Sequence, residues 1–280
     1  MESENRTRRR GVYLLPNLLT SAALFAAFYS IISGINGKFE AAAIAIIVAG
    51  LLDGLDGRVA RLTKTQSDFG EQFDSLADVI SFGLAPALLA FNWSLSSLRD
   101  ISVLTGKLGW LAAFLFVACA ALRLARFNTQ AGIADKRYFQ GLASPAAAGT
   151  LVFTIWFFVE NDVAGASVRW LIFVETIVLG LLMFSNVRYF SFKAGPRGDK
   201  VPAYWIFLAI LIIVLLALDP PVMGMNFGCA YVISGLVMTI SGRRNWKYKR
   251  EHRPRRLRKA EPAMDATGET VDDGDDAPPG

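Results

Sequence analysis

Leu51-Leu52-Asp53-Gly54-Leu55-Asp56-Gly57-Arg58-Val59-Ala60-Arg61, followed after a short polar stretch by Gly70-Glu71-Gln72-Phe73-Asp74-Ser75-Leu76-Ala77-Asp78, sets four carboxylates at the edges of two apolar blocks. An acid at membrane depth costs about 2.5 to 3.5 kcal/mol on insertion scales, so four of them need compensation. At about 100 degrees per residue, Asp53, Asp56, Gly57 and Ala60 fall at about 0, 300, 40 and 340 degrees, on one stripe of a helix. Asp74 and Asp78, four apart, share a face of the next helix. The short 58–73 connection predicts that the two helices are antiparallel neighbours, with four carboxylates converging between them. Hard oxygen ligands in that number suit Mg2+ or Mn2+, and two such ions about 3.5 to 4 Å apart form a clamp for displacement at phosphorus. Gly57 and Ala60 lack bulk, so a ligand can approach the backbone, and Arg61 at the rim is placed to meet a phosphate. Small residues also serve plain helix packing, and a lone acid can serve a proton relay. Four acids with Gly, Ala and Arg interleaved favour the metal reading, whereas Arg58, Lys64 and Asp68 read as solvated loop charges.

The rest of the chain agrees with a membrane setting. Of 280 residues, 53% are hydrophobic and 19% charged, and the mean hydropathy is +0.38, which excludes an ordinary soluble enzyme. Cys119 and Cys229 lie inside apolar runs and the single histidine, His252, sits in a charged tail. A disulfide framework, a Cys/His zinc site and a covalent His or Cys intermediate are thereby excluded, and any metal must be held by oxygen. The predicted fold class is an all-α polytopic membrane bundle. About eight spans are expected, near 13–33, 39–60, 74–92, 108–127, 145–160, 168–185, 202–218 and 222–241.

With the amino terminus inside, alternate connections hold all but four of the 29 Lys and Arg, the exceptions being Lys38, Arg99, Lys107 and Arg169. The positive-inside bias therefore predicts both termini in the cytoplasm, with the acids at the cytoplasmic interface. Arg8-Arg9-Arg10 before an apolar run reads as the flank of an uncleaved first helix and not as a signal peptide. Three regions follow: a basic segment 1–12, a transmembrane domain 13–241, and a tail 242–280 that is basic, then acidic, and expected to be disordered. The basic half suits either anionic headgroups or a solvated topology anchor. No aromatic platform accompanies it, so no nucleic acid partner is expected.

The run Asp53-x2-Asp56-Gly57-x2-Ala60-Arg61-x8-Gly70-x3-Asp74-x3-Asp78 resembles, without gap or mismatch, the signature of the CDP-alcohol phosphotransferase family. The resemblance implies that Asp53, Asp56, Asp74 and Asp78 bind the metal ions, with Asp78 also the general base. It further implies that Gly57, Ala60, Arg61 and Gly70 line the CDP-lipid pocket, with Asn17, Thr20 and Ser67 as further nucleotide contacts. Three other segments resemble the bacterial phosphatidylserine synthase subgroup: Leu122-Arg123-Leu124-Ala125-Arg126-Phe127-Asn128, Phe139-Gln140-Gly141-Leu142-Ala143-Ser144-Pro145-Ala146-Ala147-Ala148, and Ser185-Asn186-Val187-Arg188-Tyr189-Phe190-Ser191-Phe192-Lys193. Ala143 departs from that pattern, which has proline there.

What the subgroup resemblance implies is transfer of a phosphatidyl group from CDP-diacylglycerol to L-serine, releasing CMP, in a homodimer of a bacterial inner membrane. Serine is a zwitterion, so its site needs a cation. Arg123, Arg126 and Asn128, together with Arg188 and Lys193, are the candidates, and each suits a topology anchor or a lipid phosphate equally well. Glycerol phosphate or inositol phosphate as acceptor is the alternative within the family. A cation or proton transporter is the distant alternative; it predicts acids in both halves of the chain, and the second half offers Glu175 alone among its apolar spans.

Overall fold

The structure is a computed structural model and describes residues 2–63, 67–130, 138–185, 187–190 and 217–251, with 207, 211, 214 and 215. Helices α1 (Glu2–Ile35) and α2 (Phe39–Thr63) form the first hairpin. The chain turns because Gly37 adopts φ 74, a left-handed position that suits glycine. Its N–H bonds the Gly34 carbonyl at 3.2 Å and the next N–H, of Lys38, bonds Ser33 at 2.9 Å, which satisfies carbonyls the helix end would leave open. Ala23, Ala27 and Ser30 on α1 and Ala42, Ala43 and Ala49 on α2 are buried, and such small side chains let two backbones approach. The Ser30 hydroxyl crosses the seam to the Ala42 carbonyl at 2.8 Å.

The third rod, Asp68–Trp93, is continuous but not uniform. Helix α3 (Asp68–Asp78) starts at Ser67, whose hydroxyl accepts the Gly70 N–H at 3.1 Å. Asp68 and Glu71 occupy the first turn, where the helix dipole favours negative charge. After Asp78 the rod widens into a π-helical turn, Val79–Leu84, before continuing as α4 (Ala85–Trp93). Pro86 supplies a cause: it has no N–H, and its ring crowds the carbonyl four residues earlier, so the ladder slips and the Ala85 N–H bonds Ile80.

A 3₁₀ turn (Leu95–Asp100) leads to α5 (Val103–Gln130), then come α6 (Ser144–Glu160), α7 (Arg169–Phe184) and α8 (Pro220–Glu251). The core gathers Leu89, Phe116, Leu151, Ile155, Ile172 and Met183, all fully buried. Gly180 lets α7 close on α5, since a Cβ there would stand 3.3 Å from the Cα of Phe116. Two three-residue strands, β1 (Tyr138–Gln140) and β2 (Arg188–Phe190), pair antiparallel with Phe139 opposite Tyr189. Gly141, at φ 84, follows β1 and donates to the Val187 carbonyl at 2.9 Å.

The turns 36–38, 94–102 and 161–168 lie at the end of the bundle remote from the aspartates. There the Ser94 hydroxyl donates to the Gly165 carbonyl at 2.8 Å, and Arg169 donates to the Ser97 carbonyl at 3.0 Å. The chain divides into two compact units, 1–236 and 237–280. In the second, the described residues 237–251 are helical.

The described chain is all-α apart from the strand pair. Helices occupy seven of the eight expected spans; most of 202–218 lies outside the described residues. Among the described residues, four stretches are long and apolar enough to cross a membrane: Leu15–Ile35, Asp68–Trp93, Val103–Thr129 and Pro220–Thr239. The other three fall short for physical reasons. Helix α2 carries Asp53, Asp56, Arg58 and Arg61, while α6 and α7, at 17 and 16 residues, are shorter than the roughly 20 residues a bilayer core requires.

Candidate active site

Helices α2 and α3 do not pack closely as the short connection predicts. Helix α3 leans on α1, and α2 makes its closer approach to the π turn beyond Asp78. The gap between α2 and α3 is bridged by acids. One carboxylate oxygen from each of Asp53, Asp56 and Asp74 lies within 4.8 Å of the others, a spacing at which three side chains can share a cation. Asp78 joins from one turn further along α3, its carboxyl meeting that of Asp53 in a hydrogen bond. Asp74 Oδ1 and Asp78 Oδ1 are buried without any hydrogen-bond partner. Buried acceptors left open in an acid cluster fit the donor set of a hard divalent cation. The cluster consists of carboxylates alone and so offers only oxygen donors to a metal.

Helix α1 completes the site. Thr20, only 4% exposed, donates its hydroxyl to Asp56 Oδ2 at 2.7 Å and also reaches the Pro16 carbonyl at 3.1 Å. Thr20, which the family resemblance makes a nucleotide contact, thus orients one of the acids through its hydroxyl. Asn17, Ser67 and Gly70 come together: a Cβ on Gly70 would stand 3.2 Å from Ser67 Oγ and 3.3 Å from Asn17 Oδ1. Glycine at 70 thus lets the start of α3 approach α1. Gly57 differs, because a Cβ there would meet nothing within 4 Å; its bareness leaves open space beside the acids. Ala60 is half-buried, and Arg61 is exposed and folds back, its Nε donating to the Gly57 carbonyl at 2.9 Å.

The candidate acceptor residues separate sharply. Arg123 is half-buried on α5, within electrostatic reach of Asp78 and of Tyr231 on α8, and donates Nη1 to Ser144 Oγ at 2.9 Å. Arg126 points to the α7 side, its guanidinium 4.5 Å from the centre of the Phe184 ring, a cation–π distance. Asn128 donates to Ser75 Oγ at 3.1 Å, tying α5 to α3. Arg188 lies in β2 opposite Gln140, and Lys193 is outside the described residues. Sequence reasoning did not single out Thr20 as Asp56's partner, nor Tyr231, because contacts between distant helices leave no local spacing to read. Glu175 is the paired helix residue its lone place in an apolar span suggests: it accepts a 2.8 Å hydrogen bond from Thr154. An apolar cavity of about 620 Å³ runs between α2, α6 and α8, from Leu51 and Tyr231 to Trp156 and Pro220.

The CDP-alcohol phosphatidyltransferase domain matches residues 13–182. A Helicobacter pylori CDP-diacylglycerol–serine O-phosphatidyltransferase is 36% identical over 227 residues, covering 81% of this chain and 91% of its own length. The Mycobacterium leprae protein of that name is 32% identical over 222 residues, 76% of this chain and 70% of its own. An archaetidylserine synthase of Methanothermobacter thermautotrophicus is 36% identical over 193 residues, 68% of this chain and 72% of its own. A domain match of that extent, on a chain whose acids assemble across the gap between α2 and α3, makes the protein an enzyme of the transferase class that belongs to the CDP-alcohol phosphatidyltransferase family.

Proposed function

We propose that the protein transfers the phosphatidyl group of CDP-diacylglycerol to the hydroxyl of L-serine, giving phosphatidylserine and CMP. The observation that carries this reading is the three-carboxylate cluster with Asp78 beside it, its Oδ1 unpartnered. The similarity to proteins named as serine phosphatidyltransferases supports the choice of acceptor.

Asp53, Asp56 and Asp74 would hold the divalent metal, Mg2+ or Mn2+ and two ions in our reading, which supplies positive charge to the diphosphate oxygens and to the leaving CMP. Asp78 is the general base. The serine oxygen forms a bond to the lipid-bearing phosphorus, its proton passes to Asp78, and the bond from that phosphorus to CMP breaks with CMP keeping the electron pair. Thr20 keeps Asp56 oriented by its 2.7 Å hydrogen bond, so the cluster is arranged before substrate arrives. Gly57 leaves room for the nucleotide, and Ala60, Arg61, Asn17, Ser67 and Gly70 surround it. Arg61 is exposed on α2, and releasing its bond to Gly57 would free its guanidinium for a phosphate. The apolar cavity beginning at Leu51, two residues before Asp53, suits an acyl chain of the lipid.

In this reading the chain crosses a bacterial inner membrane eight times, with both termini and the acids on the cytoplasmic side, and works as a homodimer. The decisive assay supplies purified protein with CDP-diacylglycerol, Mg2+ or Mn2+, and radiolabelled serine, against glycerol phosphate and inositol phosphate as competing acceptors. Labelled lipid from serine is expected. Product from a phosphate acceptor and none from serine would move the protein to another branch of the family.

A further inference from the structure

Resting on the serine reading above, we infer that Arg123 receives the carboxylate of the acceptor and so selects an amino-acid alcohol over an alcohol without that group. Three of the candidate acceptor residues, Arg123, Arg126 and Asn128, have described side chains, and their surroundings differ. Arg126 lies against the Phe184 ring, and Asn128 is bonded to Ser75. Arg123 is in electrostatic reach of Asp78, the proposed base.

The state of its guanidinium carries the argument. Nη1 donates to Ser144 Oγ at 2.9 Å, while Nε is buried with no hydrogen-bond partner. A guanidinium presents its N–H groups as a rigid planar fork, and the edge bearing Nε is the one that meets a carboxylate with two parallel bonds. A buried N–H on a cation is costly to leave unmet, so an open Nε within electrostatic reach of the proposed base points to a ligand group. Asp78 Oδ1 is the complementary vacancy, an acceptor with no donor. A small molecule carrying a carboxylate and a hydroxyl close together answers both: the carboxylate on Arg123 and the hydroxyl on Asp78.

The surroundings hold Arg123 in place. Ser144 opens α6 two residues after Leu142, which is fastened to the Leu182 carbonyl of α7 at 3.0 Å, while Gly141 is fastened to the Val187 carbonyl just beyond α7 at 2.9 Å. Tyr231 flanks Arg123 and also lines the apolar cavity, so the acceptor would lie where the lipid's phosphorus and its acyl chain diverge. Ser144 is then a positioning residue and Arg123 a substrate-binding one.

The test compares serine with ethanolamine, which lacks the carboxylate, and with serinamide, whose carboxyl is uncharged. Wild type must first make phosphatidylserine; if it makes none, the serine reading fails and this inference with it. Given an active wild type, serine should be preferred strongly over both analogues. Arg123→Gln should raise the KM for serine about 10- to 100-fold. It should affect the ethanolamine reaction much less, so that discrimination collapses, while CDP-diacylglycerol binding is retained. Arg123→Lys should recover part of the preference, and Ser144→Ala should shift serine KM by a smaller factor with kcat nearly kept. Equal loss for serine and ethanolamine in Arg123→Gln would make Arg123 a mere charge partner of Asp78 and overturn the proposal. Should that variant not fold, wild type alone decides: serinamide used as well as serine overturns it, and serinamide rejected supports it.

Discussion

The two ends of the bundle are built on opposite terms. At the end remote from the acids, polar groups are matched: Ser94 to Gly165, Arg169 to Ser97, and the Gly37 and Lys38 N–H groups to Gly34 and Ser33. At the acid end, Asp74, Asp78, Ser81 and Arg123 each keep a buried polar atom with no partner. Only Trp156, on the wall of the apolar cavity, adds a fifth among the described residues. A folded chain normally satisfies its buried polar groups, so the concentration of open ones where four acids meet marks the end that waits for ligands.

The largest effect tests the acid end. Asp78→Asn should lower turnover about 10²- to 10⁴-fold while CDP-lipid binding survives; steady-state kinetics with labelled serine and a separate binding assay check both. Undiminished turnover would remove Asp78 from the chemistry. At the remote end the corresponding blow falls on folding. A Cβ on Gly165 would collide with the Trp93 carbonyl, so Gly165→Ala should cost about 1 to 3 kcal/mol in thermal unfolding in detergent.

A pair of variants reads the contrast by sign. Ser94→Ala leaves the Gly165 carbonyl unmatched and should destabilise by about 1 kcal/mol. Asp74→Asn removes a like charge from the cluster and should stabilise the metal-free protein. Mg2+ or Mn2+ should raise the melting temperature of wild type and raise that of Asp74→Asn much less. Metal stabilisation that is equal in both would place the ions elsewhere. A smaller shift is expected for Gly57→Ala, which meets no neighbour and replaces an exposed helical glycine: stability should rise by about 0.5 to 1 kcal/mol while the KM for CDP-diacylglycerol worsens. The smallest is Ala143→Pro. Ala143 already has φ −63, the angle proline imposes, so the substitution should be neutral or stabilising by about 0.4 to 1 kcal/mol by thermal unfolding, with activity kept. The departure from the subgroup's proline therefore leaves the turn geometry intact.

How much could be read from residues alone follows the same division. Asp53, Asp56, Asp74 and Asp78 were legible because helical periodicity turns sequence spacing into a shared face, and a charge in an apolar run announces itself. The helical positions were legible for the same reason. The π turn was not, since Pro86 shows where a helix is disturbed but not whether it breaks, kinks or widens. The separation of α2 from α3 was also hidden: a short connection fixes direction, while α1 decides how close the partners come. The crossing count depends on helices such as α6 and α7, whose lengths fall just below what a bilayer core demands.

The bond between Thr20 and Asp56 joins positions 36 residues apart, both within the opening hairpin. A chain made from its amino terminus can therefore seat Asp56 while the segment carrying Asp74 and Asp78 is still leaving the ribosome. Assembly of the reaction centre is in this sense built into the order of synthesis, with the first-made half serving as the template that the later half docks against.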